Sequence, residues 1–573
     1  LEADRLGRPV VIYQGLNPHY EYASDRVHAF IIANAAELAR RAEALGLTYL
    51  FHLRETIAGD KRVIDRLAAR ALLVVTDAYP TAGIAERSAR VASRLGCRMV
   101  AVDGHGVVPA GAFTKEEYAA RTIRPKLGRL RDLALEPVAD RPPRVAVSAT
   151  LRASLPIDAT DLAVIRWETP AALDAMLARC EIDHDVPVVR TIVPGATAAR
   201  ARLEAFCDDA LADYSERRGD PADEAGSSRL SPWLHYGQIA AAEVARTVLA
   251  RGPASQAEKF LDELLTWREL SLNFCTRNPH FRTLDALPTW ARESLARHAD
   301  DPREAIYDLD AFERAATHHP LWNAAQRELL ERGTIHNVMR MYWGKYVILW
   351  SRDAAEAMRI LVHLNNRWGL DGRDPSSHAG IQWCFGKFDR PWTRRPVLGT
   401  VRYMSIDLAY KKFDARGYER REAHANAHTS SKCPRAATTT GAPRGTRRVA
   451  SPARGVESSD RSQRRTSSPP FAMRRLRLRA PPPSRPIAAM CVRSRLTISP
   501  PFRPAARASS RVHSCAVPLA CAARPPLLAI SRCRSRSMLA KPRVLLRGCP
   551  SPMGVAPRSI VSAIWRPPRH SIR

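Results

Sequence analysis

With 573 residues the chain has room for about three to four domains, and its 45% hydrophobic and 26% charged residues are values of a soluble globular protein. No run of about 18 apolar residues occurs, so the sequence predicts no helical membrane span. The formal net charge of +31 points to a nucleic-acid partner only if that charge belongs to the folded part.

The opening residues, LEADRLGRP, form no charged-then-apolar leader, so no secretory signal is expected, and the chain does not open on Met. Over residues 1–135, short β-branched runs alternate with helical patterns. The runs VVIY (10–13), TYLFHL (48–53), ALLVVTD (71–77) and MVAVDG (99–104) read as buried strands. Between them, IIANAAELARRAEALG and GIAERSARVASRLG are amphipathic and end on Gly. This predicts an α/β N-terminal domain with a parallel, Rossmann-like sheet. Neither GxGxxG nor GxxxxGK[ST] marks a phosphate loop.

Residues 136–205 form a mixed connector, Pro-rich at EPVADRPPR. Residues 206–420 turn helical. The expected helices are ARARLEAFCDDALADYSERR, IAAAEVARTVLAR, QAEKFLDELLTWRELSLNFC, HPLWNAAQRELLERG and HNVMRMYWGKYVILWS. No internal repeat of about 20–50 residues is seen. An all-α C-terminal domain follows from this pattern. The five cysteines of the first 420 residues are scattered without a CxxC pair, which fits a reducing cytosol and suggests neither a disulfide framework nor a zinc site.

Residues 421–573 hold 31 Lys and Arg against three acids, so this segment carries +28 and the first 420 residues only +3. It also holds 21 of the 43 prolines but few aromatic residues. Such a segment cannot bury enough apolar surface to offset chain entropy, and it reads as a disordered Arg/Pro/Ser-rich tail. A basic arm on nucleic acid is one explanation. Out-of-frame translation of GC-rich DNA, which gives the same mixture without periodicity, is the favoured one. The overall charge is therefore poor evidence about function.

Chemistry concentrates in the helical half. Nine of the 11 tryptophans fall between Trp233 and Trp392. A large helical core explains many of them, since composition alone favours filler. Spacing sharpens the choice. Glu263 and Trp267 are i,i+4 on one helical face, and Arg340, Trp343 and Trp350 share a stripe. An Arg whose stem lies along core aromatics is the plain alternative. The segment LNNRWGLDGRDPSSHAGIQWCFGKFDRPW (364–392) is polar, reads as a loop with a turn at DGRDP, and is a candidate ligand site against the Trp-rich layer.

Several long motifs in consistent order carry a resemblance: SSRLSPWLHYGQIA (227–240), FLDELLTWREL (260–270), HPLWNAAQRELLERGTIHNVMRMYW (319–343) and LDGRDP…IQWCFGKFDRPW…VRYMS…KKFD (370–414). Over residues 1–420 the chain resembles class II cyclobutane pyrimidine dimer photolyases of the photolyase/cryptochrome superfamily. In that family a strand and helix precede the one matching VVIY, so the parallel sheet is expected to lack its first strand.

The resemblance implies FAD, active in its reduced form, in the helical domain, and a possible second antenna chromophore in the α/β domain. Tyr214, Ser227, Ser228, Arg229, Leu230 and Ser231 match positions along the flavin phosphates. Arg340 and Asp371 match a salt-bridged pair at the flavin ring, and Asn365 the amide at its reactive edge. Trp343, Trp322 and Trp350 match the electron-transfer chain. Glu263 matches the acid that hydrogen-bonds the dimer, with Trp267 and Trp383 as walls of its pocket. Arg218, Arg402, Lys411 and Lys412 are DNA-facing candidates. His319 stands where relatives often have Asp, and Ser376–Ser377 replace a common Asn-Gly. The implied partner is DNA containing cyclobutane pyrimidine dimers, handled without a membrane by a monomer that is expected to be cytoplasmic, and nucleoid-associated if bacterial. A cryptochrome-like photoreceptor without repair activity is the alternative.

Overall fold

The computed structural model describes residues 1–137, 142–155, 169–429 and 560–565, with side chains undescribed at 424–429 and 560–565. The four expected strands form where their β-branched runs lie: β1 Val10–Leu16, β2 Thr48–Leu53, β3 Ala71–Asp77 and β4 Arg98–Val102. β1 pairs in parallel with β2, from Val11 opposite Thr48 to Leu16 opposite Leu53. β3 pairs in parallel with β4, from Leu73 opposite Arg98 to Asp77 opposite Val102.

Between the two pairs lies β5, Ile560–Trp565, so the order is β2-β1-β5-β3-β4. β5 runs antiparallel to both β1 and β3. Two expectations are corrected here. The sheet is mixed, and its central strand comes from the segment read as a disordered tail. The physical reason is the edge. β1 and β3 each present a row of backbone N–H and C=O groups toward the gap, and those groups need partners. IVSAIW is a short apolar run that periodicity does not flag. The Ala415–Thr429 helix also runs into that segment. Its Glu422 is fully buried and receives Arg332 at 3.2 Å and Arg421 at 2.7 Å. Residues 430–559 and 566–573 lie outside the described residues.

The Asp25–Ala44 helix packs Val27, Phe30, Ile31 and Ala35 into a core shared with the helical half. It stops because Gly46 takes a left-handed φ of 66°. Arg26, at its start, is buried and donates to the carbonyls of Pro187 and Leu329, tying the α/β layer to the helices.

In the helical half Ala241–Arg251, Pro320–Arg332 and Asn337–Trp350 form close to their expected places. Three expectations change. The 199–218 pattern breaks into Ala196–Asp209, a tight turn at Leu211–Asp213, and Tyr214–Arg217. Asp208, Asp209 and Asp213 cluster at the negative end of the helix dipole, which disfavours continuation. The 256–275 pattern is Ala254–Leu261, a π-helical turn at Asp262–Trp267, and Arg268–Arg277. The 364–392 segment is a helix–turn–helix rather than a loop: Ala354–Trp368 and Pro375–Cys384 flank a turn at Gly369–Asp374.

Candidate active site

A cavity of about 340 Å³ opens in the helical half. Its wall combines Tyr214, Arg218, Ser227 to Ser231, Glu263, Trp267, Arg340, Asp371 and Trp383, residues far apart in sequence. At one end lies the serine stretch. Arg202 donates to the carbonyls of Ser227 at 2.8 Å and Ser228 at 3.0 Å, leaving hydroxyls and N–H groups as the stretch's other polar groups. Arg229 adopts φ 50° and donates Nη1 to Glu328 at 3.1 Å. Its buried Nη2 has no partner among the described residues. A buried guanidinium nitrogen without an acceptor is costly, and a phosphate oxygen would satisfy it. His336, also in the wall, is held at about 4 by burial and is neutral at pH 7.

Elsewhere in the wall Arg340 Nη2 reaches both carboxylate oxygens of Asp371 at 3.1 Å. Arg340 Nη1 donates to Asn365 Oδ1 at 2.6 Å, and Asn365 Nδ2 donates to Asn366 Oδ1 at 3.0 Å. Asn365 is fully buried and does not line the cavity. Its amide is bonded to Arg340, which lines the cavity. Gly380 also lines the cavity, and a Cβ there would touch nothing within 4 Å, so the space it faces is open.

The third group is Glu263, Trp267 and Trp383. The π-turn carries Glu263 and Trp267 and replaces the α-helical i,i+4 geometry expected for them; such turns recur at functional sites. Glu263 receives Lys259 Nζ at 3.0 Å and Arg218 Nη2 at 2.9 Å. Arg218 thus sits in the cavity wall, its guanidinium 5.6 Å from the Tyr214 ring. The rings of Trp267 and Trp383 stack on each other, 4.9 Å between centroids at 20°.

Trp322, Trp343 and Trp350 are fully buried and are not part of the cavity wall. Trp343 Nε1 donates to Gln326 Oε1 at 2.9 Å, and Trp322 Nε1 donates to the Trp343 carbonyl at 3.0 Å. The Trp322 and Trp350 centroids are 6.3 Å apart. Trp350 then meets His318 at 4.7 Å and Tyr346 at 4.8 Å. His319 stands beside this end, and its buried Nδ1 has no partner among the described residues. Ser377 donates to the Asp371 carbonyl at 2.8 Å, and the Ser376 N–H reaches Asp374 at 2.8 Å, so the two serines serve the turn directly.

Of the outer basic candidates, Arg402 lies 4.9 Å from the Trp392 ring, and Lys411 and Lys412 are exposed. Arg390 lies 5.0 Å from the same ring, so Trp392 carries two guanidiniums. Sequence reasoning did not single out this Arg390–Trp392–Arg402 group, although the DRPW spacing was a signal. It also missed Lys259, Gln326 and Asp374. An Asp directly before Pro at a helix start was a readable capping signal for Asp374.

No protein-family model matches this chain. Its fold is that of the photolyase/cryptochrome class. A Synechocystis cryptochrome matches with TM-score 0.55 at 17% identity, covering 74% of this chain and 84% of that one. An Agrobacterium tumefaciens class III photolyase matches with TM-score 0.51 at 20% identity, covering 74% and 85%. Curated relatives narrow the class. The deoxyribodipyrimidine photo-lyase of Arabidopsis thaliana is 34% identical over 431 residues, covering 73% of this chain and 83% of the relative. That of Methanothermobacter thermautotrophicus is 33% identical over 413 residues, covering 72% and 87%. This chain belongs to the deoxyribodipyrimidine photo-lyase family.

Proposed function

We propose that this chain repairs cyclobutane pyrimidine dimers in DNA by light-driven electron transfer, with FAD as its cofactor. The observation that carries the reading is convergence: the serine stretch, the Arg340–Asp371 pair and the Glu263–Trp267–Trp383 group meet in one cavity. The residues present fit FAD. Arg229 Nη2 lacks an acceptor, the serines offer donors for phosphate oxygens, and the Arg340–Asp371 pair can dock a planar ring with both donors and acceptors. Bound there in reduced form, FAD supplies the photoexcited electron that opens the cyclobutane ring.

The chain's own residues do the rest. Asn365 and Asp371 hold Arg340 in one orientation. Glu263 exchanges its cationic partners for the dimer's polar edge. Trp267 and Trp383 part to take the extruded bases between or against them; extrusion costs a few kcal/mol, least at a damaged step, and stacking returns about 1–3 kcal/mol per base. Arg390, Arg402, Lys411 and Lys412 grip phosphates and make binding salt-dependent. Trp343, Trp322 and Trp350 provide buried rings for recharging the site with electrons. In the α/β half, a cavity of about 670 Å³ beyond the carboxyl ends of β3 and β4, lined by Asp77, Tyr79, Glu86, Asp103 and Phe281, is our choice for a second, light-harvesting chromophore.

A photoreceptor that repairs nothing would share the FAD cavity but has no use for Glu263, Trp267 and Trp383 together. The test is illumination of the full chain, loaded with reduced FAD, on an oligonucleotide carrying one thymine dimer. Recovery of the paired thymines is expected. A chain that holds FAD and leaves the dimer intact would favour the photoreceptor.

A further inference from the structure

We propose that Tyr79 and Thr81, on the loop after β3, are positioning residues for the Gly369–Asp374 turn and through it for the Arg340–Asp371 pair. The proposal rests on the reading of that pair as the FAD ring's partner. The turn is held on its inner side by the Ala354–Trp368 helix. The Arg373 N–H donates to Asn366 Oδ1 at 3.0 Å, and a Cβ on Gly372 would lie 2.6 Å from the Asn365 carbonyl, so nothing bulkier than glycine fits there. Arg373 itself sits at φ 67°, a left-handed conformation that a non-glycine residue keeps only when its surroundings enforce it.

The outer side is closed by the α/β half. The Thr81 hydroxyl donates to the Arg373 carbonyl at 2.7 Å. The Tyr79 hydroxyl donates to Asp374 Oδ2 at 3.0 Å. The same oxygen faces His235 Nδ1 at 3.0 Å, and Asp374 Oδ1 accepts the Ser376 N–H at 2.8 Å. Asp374 is buried, which opposes its charge, but Arg268 and the His235 hydrogen bond outweigh burial and hold it well below the usual carboxylate range. A charged carboxylate only accepts, so each donor taken from it leaves buried charge less satisfied. Three residues before Asp374 the same turn carries Asp371, whose carboxylate fixes Arg340. The α/β half therefore sets the geometry of the cofactor cavity even with no second chromophore bound.

The test is the full-length chain carrying Tyr79→Phe and Thr81→Val, singly and together. We expect FAD to bind about tenfold more weakly to the double variant, with a shifted visible flavin spectrum and faster amide exchange at Arg373 and Ser376. Helix content by circular dichroism should be unchanged, and Thr81→Ser should restore the spectrum. Wild-type FAD affinity and spectrum in the double variant would overturn the proposal. Exchange at Arg373 and Ser376 is also read in flavin-free chain. Unchanged exchange there overturns the proposal even if the wild type binds no FAD, a result that would instead sink the cofactor reading. Should the double variant fail to fold, Thr81→Val alone, which removes a single hydroxyl at nearly constant shape, carries the same expectations in direction.

Discussion

Two groups of tryptophans in the helical half share a residue type and differ in everything else. Trp322, Trp343 and Trp350 are fully buried, and two of them spend their indole N–H groups on Gln326 and a backbone carbonyl. Trp267 and Trp383 are half-buried in the cavity wall and lean on each other. The first group is wired into the protein, so its rings are fixed and dry. Among the described residues the second group's ring stacking is with itself, beside the apolar cluster that Trp267 packs against, so an incoming planar base competes for the stacked faces. A half-buried aromatic pair in a cavity is thus a displaceable contact, whereas a buried trio, two of whose rings are hydrogen-bonded, is a rigid one.

The sharpest way to test that contrast is to fill the cavity while leaving both groups unsubstituted. Gly380→Leu projects a side chain into open space, and FAD affinity should fall about a hundredfold, measured by equilibrium titration, while helix content is kept. Next, Trp343→Phe should slow light-driven reduction of oxidised FAD by more than about tenfold yet spare repair by chemically reduced protein. It should also cost about 1–3 kcal/mol of stability by stranding Gln326 Oε1, measured by denaturant unfolding. Equal loss of both activities would erase the distinction between the groups. Glu263→Gln frees Lys259 and Arg218 and should lower single-turnover repair about tenfold with dimer-DNA affinity little changed. The smallest effect is spectroscopic. The stacked Trp267–Trp383 pair should give a near-ultraviolet circular dichroism couplet that Trp383→Phe abolishes and that dimer-containing DNA diminishes. A couplet untouched by DNA would mean that the pair never opens.

A second contrast concerns legibility. Strands β1 to β3 are buried as expected and β4, at the sheet edge, has no buried residue, but all four were readable because each is a β-branched run between helical patterns. β5 was not, because six residues in an Arg- and Pro-rich context carry no period. The π-turn at Asp262–Trp267 was hidden for a related reason: a one-residue widening of the helix does not change which residues are apolar. Arg218 was read as DNA-facing from the resemblance, and only the fold shows Glu263 within 2.9 Å of it. The buried role of Asp374 depends on Tyr79, some three hundred residues away, and no local pattern records such a partner.

Sequence alone determined the local chemistry: which segments become strands or helices, which motifs carry serines, arginines, acids and indoles, and what family those motifs resemble. These follow from short-range periodicity and residue type. The tertiary structure decided which of them meet. It set Asn365 behind Arg340, paired Glu263 with two cations, closed Trp267 on Trp383, and braced the Asp371 turn from the α/β half. Those outcomes depend on packing between distant segments and on the need of every buried polar group for a partner, and neither is written in any single stretch of chain.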